Sequence, residues 1–457
     1  VLLDIGKTNV KLALVDAAGA TLASARMANE IVAHGPYPHH DTERIWDWLL
    51  TTLRRFAPLA QIAAIVPVTH GATAALVDEN GLVLPVPDYE WALPQQLDEA
   101  YRAMRPPFSA SFSPDLPAGL NLGRQLFWLA RSFPEPFSRT RHLLMYPQYW
   151  AWRLCGVAAA EVSSLGCHTD LWEPLHNDYS TLVDAMGWRP LLPPMRRAWE
   201  PLAPLLPALA AATGLPASCQ VLCGIHDSNA SLLRYLAGKG GEAAPRTVLS
   251  TGTWVIAAAL GRPLSGLDER ADMLANVDAL GQPVACMRFM GGREFSRLAG
   301  EAPQVCDVAD LESVVARGTL ALPCFAESGG PFVGRAGAIV GPAPGGALQR
   351  YALATLYCAL MSDYCMERLG AAGDVVIEGS FTENPHFAPL LAALRSPQPV
   401  GQSDDASGSS HGAARLWRWS ATPAAGGEGP LAVAPLALAG LAGYRERWRA
   451  ALPPVAA

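Results

Sequence analysis

The sequence predicts an α/β protein of two domains, each with a mixed sheet flanked by helices, and three observations carry that reading. At 457 residues the chain exceeds what one hydrophobic core comfortably organises, so two domains of roughly 200 residues each are expected. Half of the residues are hydrophobic and 16% are charged, which fits a packed fold and not a disordered chain. Both halves open with the same grammar of strand, small-residue turn and strand, although no residue-level repeat is visible.

Taken in order, Val1 to Gly6 reads as a short strand entering a turn. Val10 to Asp16 reads as a second strand closed by Ala17, Ala18 and Gly19, and Thr21 to Met27 as a third. Glu43 to Leu53 carries Ile45, Trp46, Leu49, Leu50 and Leu53 at helical spacing. Ile62 to Val68 is a continuous apolar strand of the buried type, leading into Thr69-His70-Gly71, with a hairpin near Asp78 to Gly81. From Pro94 to about Ser218 the pattern is mostly helical and punctuated by prolines. The domain boundary is expected at Gly214 to Ser218, giving domains 1–218 and 219–457, the second opening on a strand at Cys219 to Cys223.

The second half repeats the plan. Val248 to Thr253 runs from strand into turn, and Trp254 to Leu260 continues as a strand. Leu348 to Leu369 reads as a long helix, and Asp374 to Glu378 as a strand ending in Gly379-Ser380. Ser403 to Ser410 is polar and reads as flexible, with a helix starting near His411.

Composition excludes several classes. The formal charge is 34 − 41 = −7 and no Lys/Arg-rich block occurs, so the electrostatic footprint of a nucleic-acid binder is missing. Apolar stretches at Leu202 to Leu215 and near Leu431 are broken by Pro204, Pro207 and Pro435, short of the roughly 20 residues that span a bilayer. The first residues show no basic leader, so a soluble, cytoplasmic protein is expected. The nine cysteines (155, 167, 219, 223, 286, 306, 324, 358 and 365) are odd in number and form no C-x-x-C. Buried reduced thiols are expected, and neither disulfides nor a zinc site.

Four short segments carry chemistry. Asp4-Ile5-Gly6-Lys7-Thr8-Asn9-Val10-Lys11 places a carboxylate at a strand end, where it can hold Mg²⁺ through water. Gly6 permits close backbone approach, Thr8 offers a hydroxyl and Lys11 a positive charge; the same residues also make an ordinary hairpin. Gly6-Lys7-Thr8 imitates the end of a P-loop, but the full motif needs glycine where Val1 stands. Ser250-Thr251-Gly252-Thr253-Trp254 gathers small hydroxyl residues around a glycine, a pattern that converges N–H and O–H groups on an anion or forms a plain tight turn. Gly224-Ile225-His226-Asp227-Ser228-Asn229 follows a strand, and Asp227 there can accept the proton of an attacking hydroxyl or simply cap the next helix. Val375 to Ser380 reads as a strand ending at a glycine against which a flat base can lie.

In this order and at these separations, the segments resemble the FGGY carbohydrate kinases of the actin/hexokinase/Hsp70 superfamily. The family's opening D-x-G-[TS]-[TS]-x-x-[KR] falls on Asp4 to Lys11, and its G-G-H-D-like element on Gly224 to Asp227. Val68-Thr69-His70-Gly71 with Leu76 to Gly81 looks like its Q-x-H-G…D-x-x-G stretch, and Glu161-Val162-Ser163-Ser164 leading to Asp170 like its S-x-A-S-x-T-x-x-x-D stretch. The resemblance covers nearly the whole chain. It implies two actin-like (ribonuclease H-like) domains around an interdomain cleft, ATP and Mg²⁺ as cofactors, and a sugar as the phosphoryl acceptor. It further implies Asp227 as catalytic base, Asp4 at the metal, and Gly6, Thr8, Lys11, Ser250, Gly252 and Thr253 at the phosphates. Glu378, Gly379 and Ser380 fall at adenosine, with the helix from Gly412 on the adenine side, and His70, Gly71, His226 and Asp227 at the sugar.

The chain departs from the family pattern at three places. Lys7 stands where a small hydroxyl residue is usual, Asp88-Tyr89-Glu90-Trp91 occupies the region of an absent W-x-D-x-R, and Glu378 stands where a second glycine is common. The branches acting on 6-deoxy ketoses, rhamnulose and fuculose kinases, are the nearest in pattern. The rival expectation is a non-catalytic actin-like module that binds sugar or nucleotide as a sensor, and a dinucleotide enzyme is disfavoured by the missing G-x-G-x-x-G. The oligomeric state stays open, a homodimer among the options.

Overall fold

The fold is described from a computed structural model, over residues 1–17, 19–236, 245–300, 303–403, 408–419 and 430–455. Ala18 and residues 404–407, parts of the expected turn and polar segment, lie outside these. The chain divides into two compact units. The first comprises Val1–Ala237, Ala275–Pro283 and Ser407–Ala425, and the second Gly238–Leu274, Val284–Ala406 and Gly426–Ala457.

In the first unit, apolar alternation produces β1 (Leu2–Ile5), β2 (Asn9–Val15) and β3 (Thr21–Ala28), an antiparallel meander. The helix α1 (Thr42–Phe56) is capped by Asp41, whose carboxylate accepts the Arg44 N–H. It buries Ile45, Leu49, Leu53 and Phe56 in a core shared with Val10, Leu12, Tyr149, Trp150 and Leu154. Each such side chain contributes about 1.5–3 kcal/mol by leaving water. The strand β4 (Ala64–Thr69) is buried at every residue and lies parallel beside β1, and the helix α2 (Tyr146–Cys155) is largely buried.

β4 is the organising strand. On its other side it pairs in parallel with β6 (Gln220–Leu222) and β7 (Ile225–His226), while β5 (Pro201–Pro204) runs antiparallel to β6. The strand read as opening a second domain therefore belongs to the first unit's sheet. The ladder from Ala64 to Gln220 and from Thr69 to His226 ties it there, and Asp227, at the start of α3 (Asp227–Leu236), goes with it. The helix Gly408–Leu416 also belongs to the first unit. A Cβ on Gly412 would stand 1.7 Å from the Ala230 carbonyl oxygen, so glycine permits this approach to α3. Within the stretch read as mostly helical, His142–Met145 is a strand against Ala74–Asp78, and Trp172–Glu173 pairs with Asp178–Tyr179. Short apolar runs such as Leu143-Leu144-Met145 do not distinguish strand from helix by periodicity.

The second unit repeats the plan with different residues. Its sheet places β10 (Pro283–Phe289), β9 (Val255–Leu260), β8 (Arg246–Thr251), β11 (Asp374–Gly379), β12 (Val400–Gln402) and β13 (Leu431–Ala432) side by side, β8 and β11 parallel. The expected long helix is present as Ala347–Leu369, buried over most of its length. All nine cysteines are buried thiols. Among the described residues no helix is long and apolar enough to cross a membrane.

Candidate active site

Strand register explains how distant motifs meet. In the first unit Ile5 pairs with Thr69, and Thr69 pairs with His226 on the other side. The residues that follow, Gly6, His70 and Asp227, thus leave the sheet at one end. Asp4 and Lys11 stand opposite each other across the β1–β2 ladder, next to that end. The turn between them is tight, with Gly6 N–H donating to Asn9 O at 2.9 Å. Asn29 clamps it, its amide donating to Gly6 O at 2.8 Å and its backbone N–H to Thr8 O at 2.9 Å. Sequence reading gave no signal for Asn29.

Asp227 is a half-exposed carboxylate with an asymmetric hydrogen-bond shell. Its Oδ1 accepts from the Ser228 N–H, from Ser228 Oγ at 3.2 Å and from His226 Nε2 at 3.2 Å. Its Oδ2 has no partner among the described residues, so one carboxylate oxygen is anchored and one is open to an incoming hydroxyl. The tautomer of His226 follows from its neighbours. Asn229 Nδ2 approaches His226 Nδ1 at 3.3 Å and Ser163 O at 3.3 Å, so the amide donates and Nδ1 accepts. His226 Nε2 then carries the proton it gives to Asp227. Burial lowers the His226 pKa against the opposing pull of Asp227, which keeps the ring neutral.

His70 has the opposite tautomer. Its Nδ1 faces the Gly71 carbonyl at 3.0 Å and therefore carries the proton, leaving Nε2 a buried acceptor without a partner among the described residues. Burial pushes its pKa down to about 4. Its ring lies among His40, Tyr89 and Tyr146 at centroid distances of 5.1, 5.2 and 5.2 Å. Gly71 stands directly behind His226, since a Cβ there would come 2.7 Å from Nε2. The structure thus brings Gly6, His70, Gly71, His226 and Asp227 to one sheet end of the first unit.

Behind this end sits a buried support that sequence reading noted only as a landmark. Glu161, fully buried, accepts from the Ser163 hydroxyl and from Ser163 N–H at 3.0 Å, and Ser163 Oγ in turn accepts the His226 N–H at 3.2 Å. Burial raises the Glu161 carboxyl to about 7, the Ser163 hydrogen bonds opposing it. Gln148 donates to Cys223 O at 3.0 Å and Gly224 O at 3.3 Å, fixing the loop before His226. The cavity of about 670 Å³ bounded by Trp172, Tyr179, Arg189 and Glu200 touches Val162 of that stretch and none of the residues gathered at the sheet end.

In the second unit Ser250 pairs with Glu378 and Thr251 with Gly379, so the hydroxyl turn and the β11 end also emerge together. Gly252 N–H donates to Trp254 O at 2.8 Å, closing the turn. Ser250 and Thr253 are exposed and Gly252 is half-buried. Thr251 is buried and occupied, donating to Glu378 O and accepting the Phe381 N–H at 3.0 Å. Glu378 is buried, so Gly379 and Ser380 supply the surface at this end.

Among the described residues no group of three or more His, Cys, Asp or Glu side chains converges on a metal position. A single carboxylate ligand, as Asp4 would supply, fits a hydrated Mg²⁺ that takes other ligands from phosphates, and does not fit a protein-caged metal.

Residues 1–234 match the family model described as FGGY family of carbohydrate kinases, N-terminal domain, and residues 243–425 match Carbohydrate kinase FGGY, C-terminal domain. The chain is 28% identical over 272 residues to an L-fuculokinase of Salmonella typhi, covering 56% of this chain and 55% of that protein. It is 26% identical over 274 residues to an L-fuculokinase of Haemophilus influenzae, covering 55% and 56%. The chain thus spans about half the length of the curated relatives it matches. The crystal structure of a carbohydrate kinase from Novosphingobium aromaticivorans superimposes with a TM-score of 0.90 at 36% identity, covering 98% of this chain and 99% of that one. A ligand-bound xylulose kinase from Lactobacillus acidophilus, at 15% identity and TM-score 0.77 over 98% of this chain and 95% of that one, shares the fold.

Proposed function

The chain belongs to the FGGY family of carbohydrate kinases, and from that premise we propose that it transfers the γ-phosphoryl group of ATP to a hydroxyl of a sugar. The acceptor class we favour is a ketose or deoxy-sugar such as L-rhamnulose or L-fuculose, which the two L-fuculokinase relatives support. The observation that carries the reading is the Asp227 carboxylate, with Oδ1 anchored by Ser228 and His226 and Oδ2 open.

In the proposed step the acceptor hydroxyl hydrogen-bonds to Asp227 Oδ2, with the His70 Nε2 lone pair as a second contact. As the acceptor oxygen bonds to the γ-phosphorus, its proton passes to Asp227. The bond from that phosphorus to the β–γ bridging oxygen breaks, and ADP leaves with the electron pair. His226 stabilises the ionised carboxylate without donating its proton away. Gly6, Thr8 and Lys11 in the first unit, and Ser250, Gly252 and Thr253 in the second, serve the phosphates; Gly379 and Ser380, beside Glu378, serve adenosine. Mg²⁺, held through water at Asp4, would screen the phosphate charge. Nine buried thiols fit a reducing, cytoplasmic setting.

The test is ADP release from Mg-ATP across aldoses, ketoses and polyols, with Asp227→Asn in parallel. Expected are one sugar-dependent signal and a kcat lowered on the order of 10³-fold in the variant, with nucleotide affinity within about twofold. Equal loss of nucleotide binding would make Asp227 structural. Tight nucleotide binding with no sugar-dependent turnover would favour a sensor.

A further inference from the structure

Lys7 occupies a position in the β1–β2 turn where the resembling family carries a hydroxyl, yet its side chain is engaged away from that turn. Its ammonium contacts Asp88 Oδ1, lies 3.7 Å from Glu90 Oε2 and sits 5.1 Å from the Tyr89 ring centroid. The Lys7 and Asp88 side chains are 17% and 12% exposed, so the pair is largely enclosed and still reachable. Asp88 Oδ1 accepts both Lys7 and the Glu90 N–H at 3.0 Å, leaving Oδ2 without a partner among the described residues. An ammonium has three donors; Asp88 takes one, and Glu90 lies beyond hydrogen-bond distance for a second. A spare donor and a spare acceptor therefore stand side by side, a pattern that matches sugar hydroxyls, which both give and accept.

The pair is physically continuous with the proposed acceptor site inside the first unit. Tyr89, under the ammonium, packs on the His70 ring at 5.2 Å, and Gly71 next to His70 backs onto His226, the partner of Asp227. One positive charge against Asp88 and Glu90 leaves this wall net negative, and Asp227 adds to it. An anionic acceptor meets like charge there, a device that rejects the wrong partner without contacting the right one.

We infer that Lys7 and Asp88 form a hydroxyl-reading pair that selects neutral polyhydroxylated acceptors over sugar acids and sugar phosphates. The inference rests on the kinase reading above. It gives Lys7 an acceptor role in a segment otherwise assigned to phosphate.

The test varies acceptor and Mg-ATP independently for wild type, Lys7→Met and Asp88→Asn, using the best neutral acceptor from the panel together with aldonates and uronates. Expected is an acceptor KM raised on the order of tenfold or more in both variants, the size of one charged hydrogen bond. The ATP KM should stay within about twofold, and wild type should prefer neutral acceptors over acids on the order of 100-fold. Lys7→Arg, which keeps charge and donors, should recover part of the loss. A raised ATP KM with unchanged acceptor KM would assign Lys7 to the phosphates, and no change in either would reduce the pair to a structural ion pair; both overturn the inference. If wild type turns nothing over, the kinase reading fails separately. Calorimetry of the same sugars on wild type and Lys7→Met then decides, unchanged affinity overturning the pair and weakened affinity supporting it.

Discussion

The two units bring their motif residues together by the same device and build the ends differently. In the first, Ile5, Thr69 and His226 share a row of the sheet, and side chains project beyond it: imidazoles, a carboxylate and the Lys7–Asp88 pair. In the second, Thr251 and Gly379 share a row, and what lies beyond is backbone, glycine and hydroxyl. A Cβ on Gly71 would meet the His226 side chain, whereas one on Gly379 would stand 1.9 Å from the Thr251 carbonyl oxygen. The first end tolerates shape change at the expense of chemistry. The second end is the shape.

Three substitutions probe this contrast. The largest effect is expected for Gly379→Ala. Its φ of +84° disfavours any side chain, and the new methyl would force β8 and β11 apart. A stability loss of about 3 kcal/mol or more is expected, read as a lowered thermal midpoint. A well-folded Gly379→Ala protein that has lost only nucleotide affinity would break the comparison. Next comes Gly71→Ala, where the methyl displaces the His226 ring from Asp227. Expected is a kcat lowered by roughly 10- to 100-fold with the thermal midpoint within about 3 °C; a collapse of stability instead would place both ends in one class.

The smallest effect sharpens the account of the support beneath His226. The Glu161 carboxyl titrates at about 7 in the fold against 4.5 when unperturbed, so the folded chain holds its proton more tightly. Stability is then fully present below about pH 4.5 and declines as pH rises through 7. The loss over that range is on the order of 3 kcal/mol. Glu161→Gln keeps acceptor and donor in the same shape and should flatten that slope between pH 4.5 and 7 in denaturant titrations. An unchanged slope would show that other groups set it.

Much of this was legible in the sequence, and the limits are physical. The strand–turn–strand openings, α1 and the strand-end settings of Asp4 and of Ser250 to Thr253 follow from periodicity and turn chemistry. The partner of a three-residue strand does not. Gln220-Val221-Leu222 says buried strand but not which sheet, so the strand and Asp227 were expected in the second domain and lie in the first unit. Tautomers are equally invisible, because His70 and His226 take opposite protonation from neighbours far away or non-ionisable, Ser163 and Asn229 among them. Asn229 stood inside the motif and was overlooked as the residue that orients His226. Lys7 was visible as a departure, but its engagement with Asp88, 81 positions on, needed the fold.

The central place of β4 also has a consequence for biosynthesis. β4 is complete at Thr69, but the strands that cover its second edge begin at Gln220 and end at His226. At 5–20 residues per second, roughly 8–30 s separate these points on the ribosome. During that interval an apolar strand, Ala64-Ile65-Val66-Pro67-Val68-Thr69, waits with one edge unpaired. The nascent chain therefore carries this apolar strand half-paired for that interval, and a stall or truncation ahead of residue 220 leaves it for chaperones or aggregation to claim.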